Sequence, residues 1–344
     1  MQLASIFSTQ RLLTLALAAA GAFVFHVLGL PLPVLLGPMF ACLFAALIGM
    51  PMLGTPKISS AMRVVLGIAV GASLTPALFG RLDEMALSVA LIPIFTLLIG
   101  VTGYPYFRHL GFDHPTAYYS AMPGGLQDMA IFGEAAGGDV RVLALVHTTR
   151  VLVIVSLMPF LLTLVWGLEL TGPPGEPAAS VPLQELAIMT ITGLLGWWIA
   201  ERLGVFGAPI IGPLVITGLA AMTDLLHHRP PAEMMQMAQF FLGLGIGVKY
   251  AGITAYELKR IVGASLGYCL LLAILSVIFA EIVIQSGLAA PLEALIAFAP
   301  GGQAEMVLLA IIVGADTAYV VTHHLLRVVL VITCAPIAAR LLDR

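Results

Sequence analysis

Pro123-Gly124-Gly125-Leu126-Gln127-Asp128-Met129 returns as Pro300-Gly301-Gly302-Gln303-Ala304-Glu305-Met306, 177 residues later. The register then holds without a gap: Gly137 falls on Gly314, Asp139 on Asp316, His147 on His324 and Arg150 on Arg327. Upstream, Leu66-Gly67-Ile68-Ala69-Val70-Gly71 matches Leu242-Gly243-Leu244-Gly245-Ile246-Gly247 at an offset of 176. Leu28-Gly29 and Gly37-Pro38 match Leu203-Gly204 and Gly212-Pro213 at an offset of 175, and Gly21 matches Gly196. So many special residues in fixed register mark an internal duplication. The first repeat occupies residues 1–168 and the second 183–344. Residues 169–182 join them, with the loop composition Thr171-Gly172-Pro173-Pro174-Gly175-Glu176-Pro177. Arg11 and the apolar run Leu12–Phe25 imitate a secretory signal. Because the run recurs in the second repeat, it is expected to be the first helix of the unit and to be retained.

Of the 344 residues, 60% are hydrophobic and only 10% charged, and the mean hydropathy is +1.06. That composition excludes a soluble enzyme, a disordered chain and a nucleic-acid binder. The net charge of -3 leaves no basic footprint for nucleic acid. Cys42, Cys269 and Cys334 lie scattered in apolar runs, so no disulfide framework or thiolate metal site is expected. The class is an all-α polytopic membrane protein, with the lipid bilayer as its surroundings and room for roughly ten to twelve crossings.

Six apolar segments can be read in each repeat: 11–29, 33–54, 61–79, 86–106, 116–136 and 140–167, then 184–202, 205–226, 237–253, 262–287, 291–313 and 317–341. The distribution of lysine and arginine discriminates between topologies. If each Pro-Gly-Gly segment is re-entrant or broken and leaves by the face it entered, then Arg11, Lys57, Arg63, Arg108, Arg202, Lys259, Arg260, Arg340 and Arg344 lie inside. Only Arg81 and Arg229 lie outside. The expectation is five crossings per half, inverted repeats, an external linker and cytoplasmic termini, an architecture shared by many secondary transporters.

Pro123-Gly124-Gly125 and Pro300-Gly301-Gly302 break apolar helices and free backbone groups, tolerated at membrane depth only against protein or a wet cavity. They are read as substrate- or ion-binding turns, with simple packing kinks as the alternative. Gln127, Asp128, Gln303 and Glu305 open the restarting helices. The two carboxylates are candidate Na⁺ or H⁺ carriers, or else helix caps. Asp139, His147 and Arg150, and likewise Asp316, His324 and Arg327, suggest a polar stripe, because eleven residues return to nearly one helix face. Arg150 and Arg327 would meet an anionic substrate, gate the path against Asp128 and Glu305, or form static bridges. His147, His323, His324 and the four carboxylates have metal-ligand chemistry. They lack a clustered spacing, and adjacent His323 and His324 point about 100° apart. No catalytic residue, metal or cofactor is expected beyond a coupling H⁺ or Na⁺. Gly67-xxx-Gly71 and Gly243-xxx-Gly247 are small-residue faces for close packing between the halves.

The doubled unit has Gly-Pro in an early helix, Leu-Gly-xxx-Gly, Pro-Gly-Gly followed by an acid and Met, then Gly-x-Asp and His-x-x-Arg. It resembles the AbrB-duplication family of bacterial inner-membrane proteins over Leu12 to Ala339. The resemblance implies an inner-membrane location. Family members carry labels such as ammonia monooxygenase or AbrB family transcriptional regulator, and these residues support neither chemistry. The reading is a secondary transporter of a small anionic solute. The rivals are a membrane-bound metal-dependent oxidoreductase and a membrane-embedded regulatory protein, and homo-oligomerisation is left open.

Overall fold

The computed structural model describes residues 8–74, 82–171, 174–205 and 207–342. Arg81, Gly172, Pro173, Arg344 and the end of the segment read at 61–79 lie outside them. The described residues are helical or irregular, with no strand. The first repeat forms α1 (Thr9–Val27), α2 (Pro33–Leu47), α3 (Pro56–Gly71), α4 (Leu82–His109), α5 (His114–Ala121), α6 (Leu126–Ala135) and α7 (Val140–Trp166). The second forms α8 (Leu183–Arg202), α9 (Ala208–Met222) and α10 (Ala232–Val248). A helical turn (Ala255–Glu257) and a π turn (Leu258–Val262) then lead into α11 (Gly263–Gln285), followed by α12 (Pro291–Phe298), α13 (Gln303–Ile312) and α14 (Thr317–Leu342).

Proline and glycine set these boundaries. Pro33, Pro56 and Pro291 stand in first turns, where no amide hydrogen is missed. Gly137 and Gly314 end α6 and α13 with φ of 85° and 69°, a left-handed conformation that favours glycine. In both copies the following amide reaches back five residues, Gly138 to the Gly133 carbonyl (2.7 Å) and Ala315 to the Ala310 carbonyl (3.0 Å). Six helical stretches are long and apolar enough to cross a bilayer, three per repeat: Thr9–Val27, Met85–His109, Val140–Trp166, Leu183–Arg202, Ala255–Gln285 and Thr317–Ala339. The 15-residue α2 and α9 reach only about 22 Å. The chain is therefore a polytopic all-α membrane protein.

The helices sort into two compact units, each drawing helices from both repeats. Unit 1 comprises residues 1–81, 158–253 and 307–318. It is held by backbone-to-backbone approach. Gly21 of α1 lies on Gly37 of α2, and Gly196 of α8 lies on Gly212 of α9. Gly67 and Gly71 of α3 lie on the Ile210 and Leu214 carbonyls of α9, while Gly243 and Gly247 of α10 lie on the Leu35 and Met39 carbonyls of α2. A Cβ at any of these glycines would overlap a facing backbone atom. The glycine helix of each repeat thus packs along the Gly-Pro helix of the other, advancing in the same direction. Such reciprocal exchange is the signature of a two-fold relation.

Unit 2 comprises residues 82–157, 254–306 and 319–344. Aromatic side chains fill part of its interior. Phe95 meets Phe279 and Phe298 at ring-centroid distances of 5.0 and 5.4 Å, and Phe107 meets Tyr268 at 4.9 Å. Both Pro-Gly-Gly turns belong to this unit.

Candidate functional site

Each Pro-Gly-Gly turn separates two short helices: α5 from α6, and α12 from α13. A helix that ends inside apolar surroundings leaves its last carbonyls without amide partners, and these must be satisfied elsewhere. Here the long helix that follows supplies the donors. Arg150 of α7 donates from Nη1 to the Met122 carbonyl (3.3 Å) and from Nη2 to the Gly124 carbonyl (2.7 Å). Arg327 of α14 does the same to Ala299 (3.0 Å) and Gly301 (3.3 Å). One turn earlier, His147 Nε2 lies 3.0 Å from the Tyr119 carbonyl, and His324 Nε2 lies 3.0 Å from the Ile296 carbonyl. Every partner in one set falls on its counterpart at the 177-residue offset. A carbonyl can only accept, so both imidazoles carry their proton on Nε2. Arg327 Nη2 donates to His324 Nδ1 (3.0 Å), which makes His324 the neutral tautomer.

The motif's methionine has a local role. Met129 and Met306 are buried, and a Cβ on Gly124 or Gly301 would stand 2.7 Å from Met129 Cε or 2.9 Å from Met306 Cε. The methionine closes over the turn in the space a side chain would need. The two turns also approach the opposite repeat. A Cβ on Gly124 would lie 2.9 Å from Val331 of α14, and one on Gly302 would lie 3.5 Å from Val151 of α7. Tyr118 donates to the Ala335 carbonyl across the same junction (2.8 Å).

Electrostatically, the centre is cationic. Arg150 and Arg327 are each 3% exposed, and among the described residues neither has a carboxylate partner. The Nε–H of each is buried without an acceptor. A buried guanidinium is costly unless its charge and all its donors are met. Asp128, in the first turn of α6, has a buried Oδ2 with no partner. Glu305, in the first turn of α13, is buried and folds back over Gly302. Gln127 is exposed and Gln303 half-buried, with its Nε2 unpartnered. Pro123 and Pro300 are buried in the turns.

Asp139 and Asp316 stand elsewhere. Each precedes its long helix. Asp139 accepts from the Arg141 and Val142 amides (2.9 and 3.1 Å), and Asp316 accepts from the Ala318 amide (3.1 Å). The spacing of eleven begins outside the helix, so it does not build one continuous face. Among the described residues, no three His, Cys, Asp or Glu side chains gather as metal ligands. Sequence reasoning missed Tyr268, whose hydroxyl donates to the carbonyl of Ala121, the last residue of α5 before the first Pro-Gly-Gly turn. It also missed Ser88, which meets His323 Nε2 at 3.0 Å. A lone tyrosine within the apolar run of α11 was the available signal, since a buried hydroxyl needs a partner.

The sequence model of the family described as "Transition state regulatory protein AbrB" matches residues 34–343. "Uncharacterized protein YhjN" of Bacillus subtilis (strain 168) is 28% identical, the alignment covering 95% of this chain and 92% of that protein. "Putative regulator AbrB" of Escherichia coli (strain K12) is 23% identical, covering 93% and 92%. No solved structure matches. The family match spans nearly the whole duplicated unit and both of its Pro-Gly-Gly turns, and the chain belongs to the AbrB family.

Proposed function

We propose that this protein is a secondary transporter of a small anionic solute, coupled to H⁺ or Na⁺. The observation that carries the reading is the pair of buried guanidinium groups. Each clamps the carbonyls of a broken helix, keeps one donor unmet and lacks a carboxylate among the described residues. Buried charge of this kind marks solute and ion pathways in membrane proteins. An anion beside the turns would meet the remaining donors and the positive ends of α6 and α13. Asp128 and Glu305, at equivalent positions in those first turns, are the candidate carriers of the coupling ion. Paired broken helices at a repeat junction are a recurrent transporter design.

Helix directions in unit 1 support inverted repeats. α10 advances along α2, from Leu35 against Gly243 to Met39 against Gly247. Taken as consecutive traverses of alternating direction, α9 and α10 run oppositely, so α9 opposes α2, its own counterpart. Cysteines introduced at Gln10 and Glu176 should then label from opposite faces of an inner membrane, Gln10 from the cytoplasm. The functional test is ion-driven uptake of anionic solutes in proteoliposomes. Asp128→Asn should abolish coupling and Arg327→Lys should reduce uptake. Unchanged coupled uptake in both variants overturns the reading. The printed names of the family and of the Escherichia coli relative favour a second reading, a membrane-embedded regulator. That reading gains if no solute moves and a soluble partner co-purifies.

A further inference from the structure

A second set of uncompensated cations lies in unit 2 at the ends of two apolar spans. A cavity of about 590 Å³ opens where α4 finishes and the π turn begins, with Tyr106, Phe112, Tyr256, Lys259 and Arg260 in its wall. Arg260 stands over the rings of Phe112 and Tyr256, 5.3 and 5.6 Å from their centroids, and donates to the Tyr256 hydroxyl. Neighbouring carboxylates are committed elsewhere. Glu257 takes Arg141 (2.8 Å) and the Thr254 cap, and Asp113 caps α5 at the Thr116 amide (2.9 Å). Among the described residues, neither Lys259 nor Arg260 has an acidic partner.

The duplication shows that the fold does not require this cavity. In this stretch the repeats correspond at an offset of 176, with Gly111 on Gly287, so Lys259 and Arg260 fall on Asp83 and Glu84, Tyr106 on Ile282 and Phe112 on Leu288. The basic and aromatic residues were therefore placed in one copy only. The adjacent turn is a π-helix, a rare geometry concentrated at functional positions. The cavity wall continues through Gly263 onto α11. There Leu266, Leu270, Ile274 and Val277 are exposed at i, i+4, i+8 and i+11, one apolar stripe along the span.

We propose that this cavity holds the phosphate headgroup of an anionic phospholipid, with acyl chains lying along Leu266, Leu270 and Ile274. The chemistry is that of basic and aromatic groups gathered at the bilayer interface. The stripe below them assigns the phosphate to a lipid rather than to a free anion. The proposal rests on the membrane fold and stands apart from the transport reading.

The test is native mass spectrometry of the full chain exchanged into micelles carrying phosphatidylglycerol or phosphatidylcholine. The wild-type protein should retain phosphatidylglycerol preferentially. Lys259→Gln should weaken that retention about fivefold, with a similar further loss on adding Arg260→Gln. Lys57→Gln, at the start of α3, should leave it unchanged. Equal retention of the two lipids, or no effect of Lys259→Gln, overturns the proposal. So does displacement of the lipid by inorganic phosphate at matched concentration, which would assign the site to a free phosphate compound.

Discussion

The two units solve one problem, association of helices in apolar surroundings, by opposite means. In unit 1 the crossing points are glycines facing backbone: Gly21 on Gly37, Gly67 on Ile210, Gly243 on Leu35. Nothing polar is interrupted there, so removing side chains and letting dispersion act is sufficient. In unit 2 the helices are broken, and each break strands carbonyls that no neighbouring backbone reaches. Arginine and histidine are imported to satisfy them. Lipid offers no competing hydrogen bonds, so an arginine can hold an irregular backbone together there. The same residue then brings a buried charge, which is costly unless compensated. Close packing in unit 1 makes a frame without chemistry, whereas polar repair in unit 2 makes chemistry available.

The largest expected effect tests the frame. Gly243→Val would drive a branched side chain into the Leu35 carbonyl, and α10 and α2 would have to separate. Destabilisation at or above the upper end of the ~1–3 kcal/mol typical of overpacking is expected. In practice the variant should give no monodisperse protein in mild detergent, and the wild type should. A well-behaved variant would show that the crossing is looser than its glycines imply.

Next is the polar repair. Arg327→Leu would strand the Ala299 and Gly301 carbonyls and remove the donor to His324. Each buried acceptor left unmet costs about 1–3 kcal/mol, partly offset because a buried charge is also removed. The melting temperature should fall clearly. Arg327→Lys, keeping charge without the fork, should fall less. Loss of solute-dependent thermal stabilisation in both variants would tie the guanidinium geometry to binding. If Leu and Lys variants melt like the wild type, the arginine does not hold the turn.

This contrast also explains what could be read in advance. Both breaks, at Pro123 and Pro300, and the limits of the long helices Val140–Trp166, Leu183–Arg202 and Thr317–Leu342 were legible because proline, glycine and hydrophobic runs act locally. The glycine helices Pro56–Gly71 and Ala232–Val248, by contrast, begin five residues before the apolar runs read for them. The packing role of Gly67 and Gly243 was legible because the spacing recurred. Their partners were not: a glycine records that something comes close, not which helix. The partners of Arg150 and Arg327 were invisible for a related reason. Backbone carbonyls have no residue type, so a cation that binds them looks in sequence like one awaiting a carboxylate. The basic cavity at Lys259 and Arg260 escaped notice because it breaks the repeat, and register was the guide to everything else.

A smaller effect is expected at the edge of unit 2. Glu257→Gln keeps one acceptor oxygen for the Thr254 cap but turns an amide NH2 toward Arg141, losing both the charge and the hydrogen bond of that pair, whose arginine side chain is 42% exposed. Exposed pairs contribute about 0.2–1 kcal/mol. Titration of thermal stability with salt should show the wild-type advantage shrinking as ionic strength rises. A drop as large as that of Arg327→Leu would place a structural role on this pair that its exposure argues against.

The smallest effect lies two residues from the largest. Gly245 shares α10 with Gly243, yet a Cβ there would meet only Ser59 Oγ, at 3.6 Å, an ordinary contact. Nothing must move, while alanine reduces the freedom of the unfolded chain and favours the helix by up to about 1 kcal/mol. Gly245→Ala is therefore expected to leave the melting temperature unchanged or raise it slightly, although the substitution is milder than Gly243→Val. The fair comparison is Gly243→Ala, whose single methyl still overlaps the Leu35 carbonyl. If both alanine variants were neutral, close approach of α10 to α2 would not be what holds unit 1. If only Gly243→Ala unfolds, the glycine in register with Gly67 carries the contact, and the neighbour that breaks the Gly-xxx-Gly spacing does not.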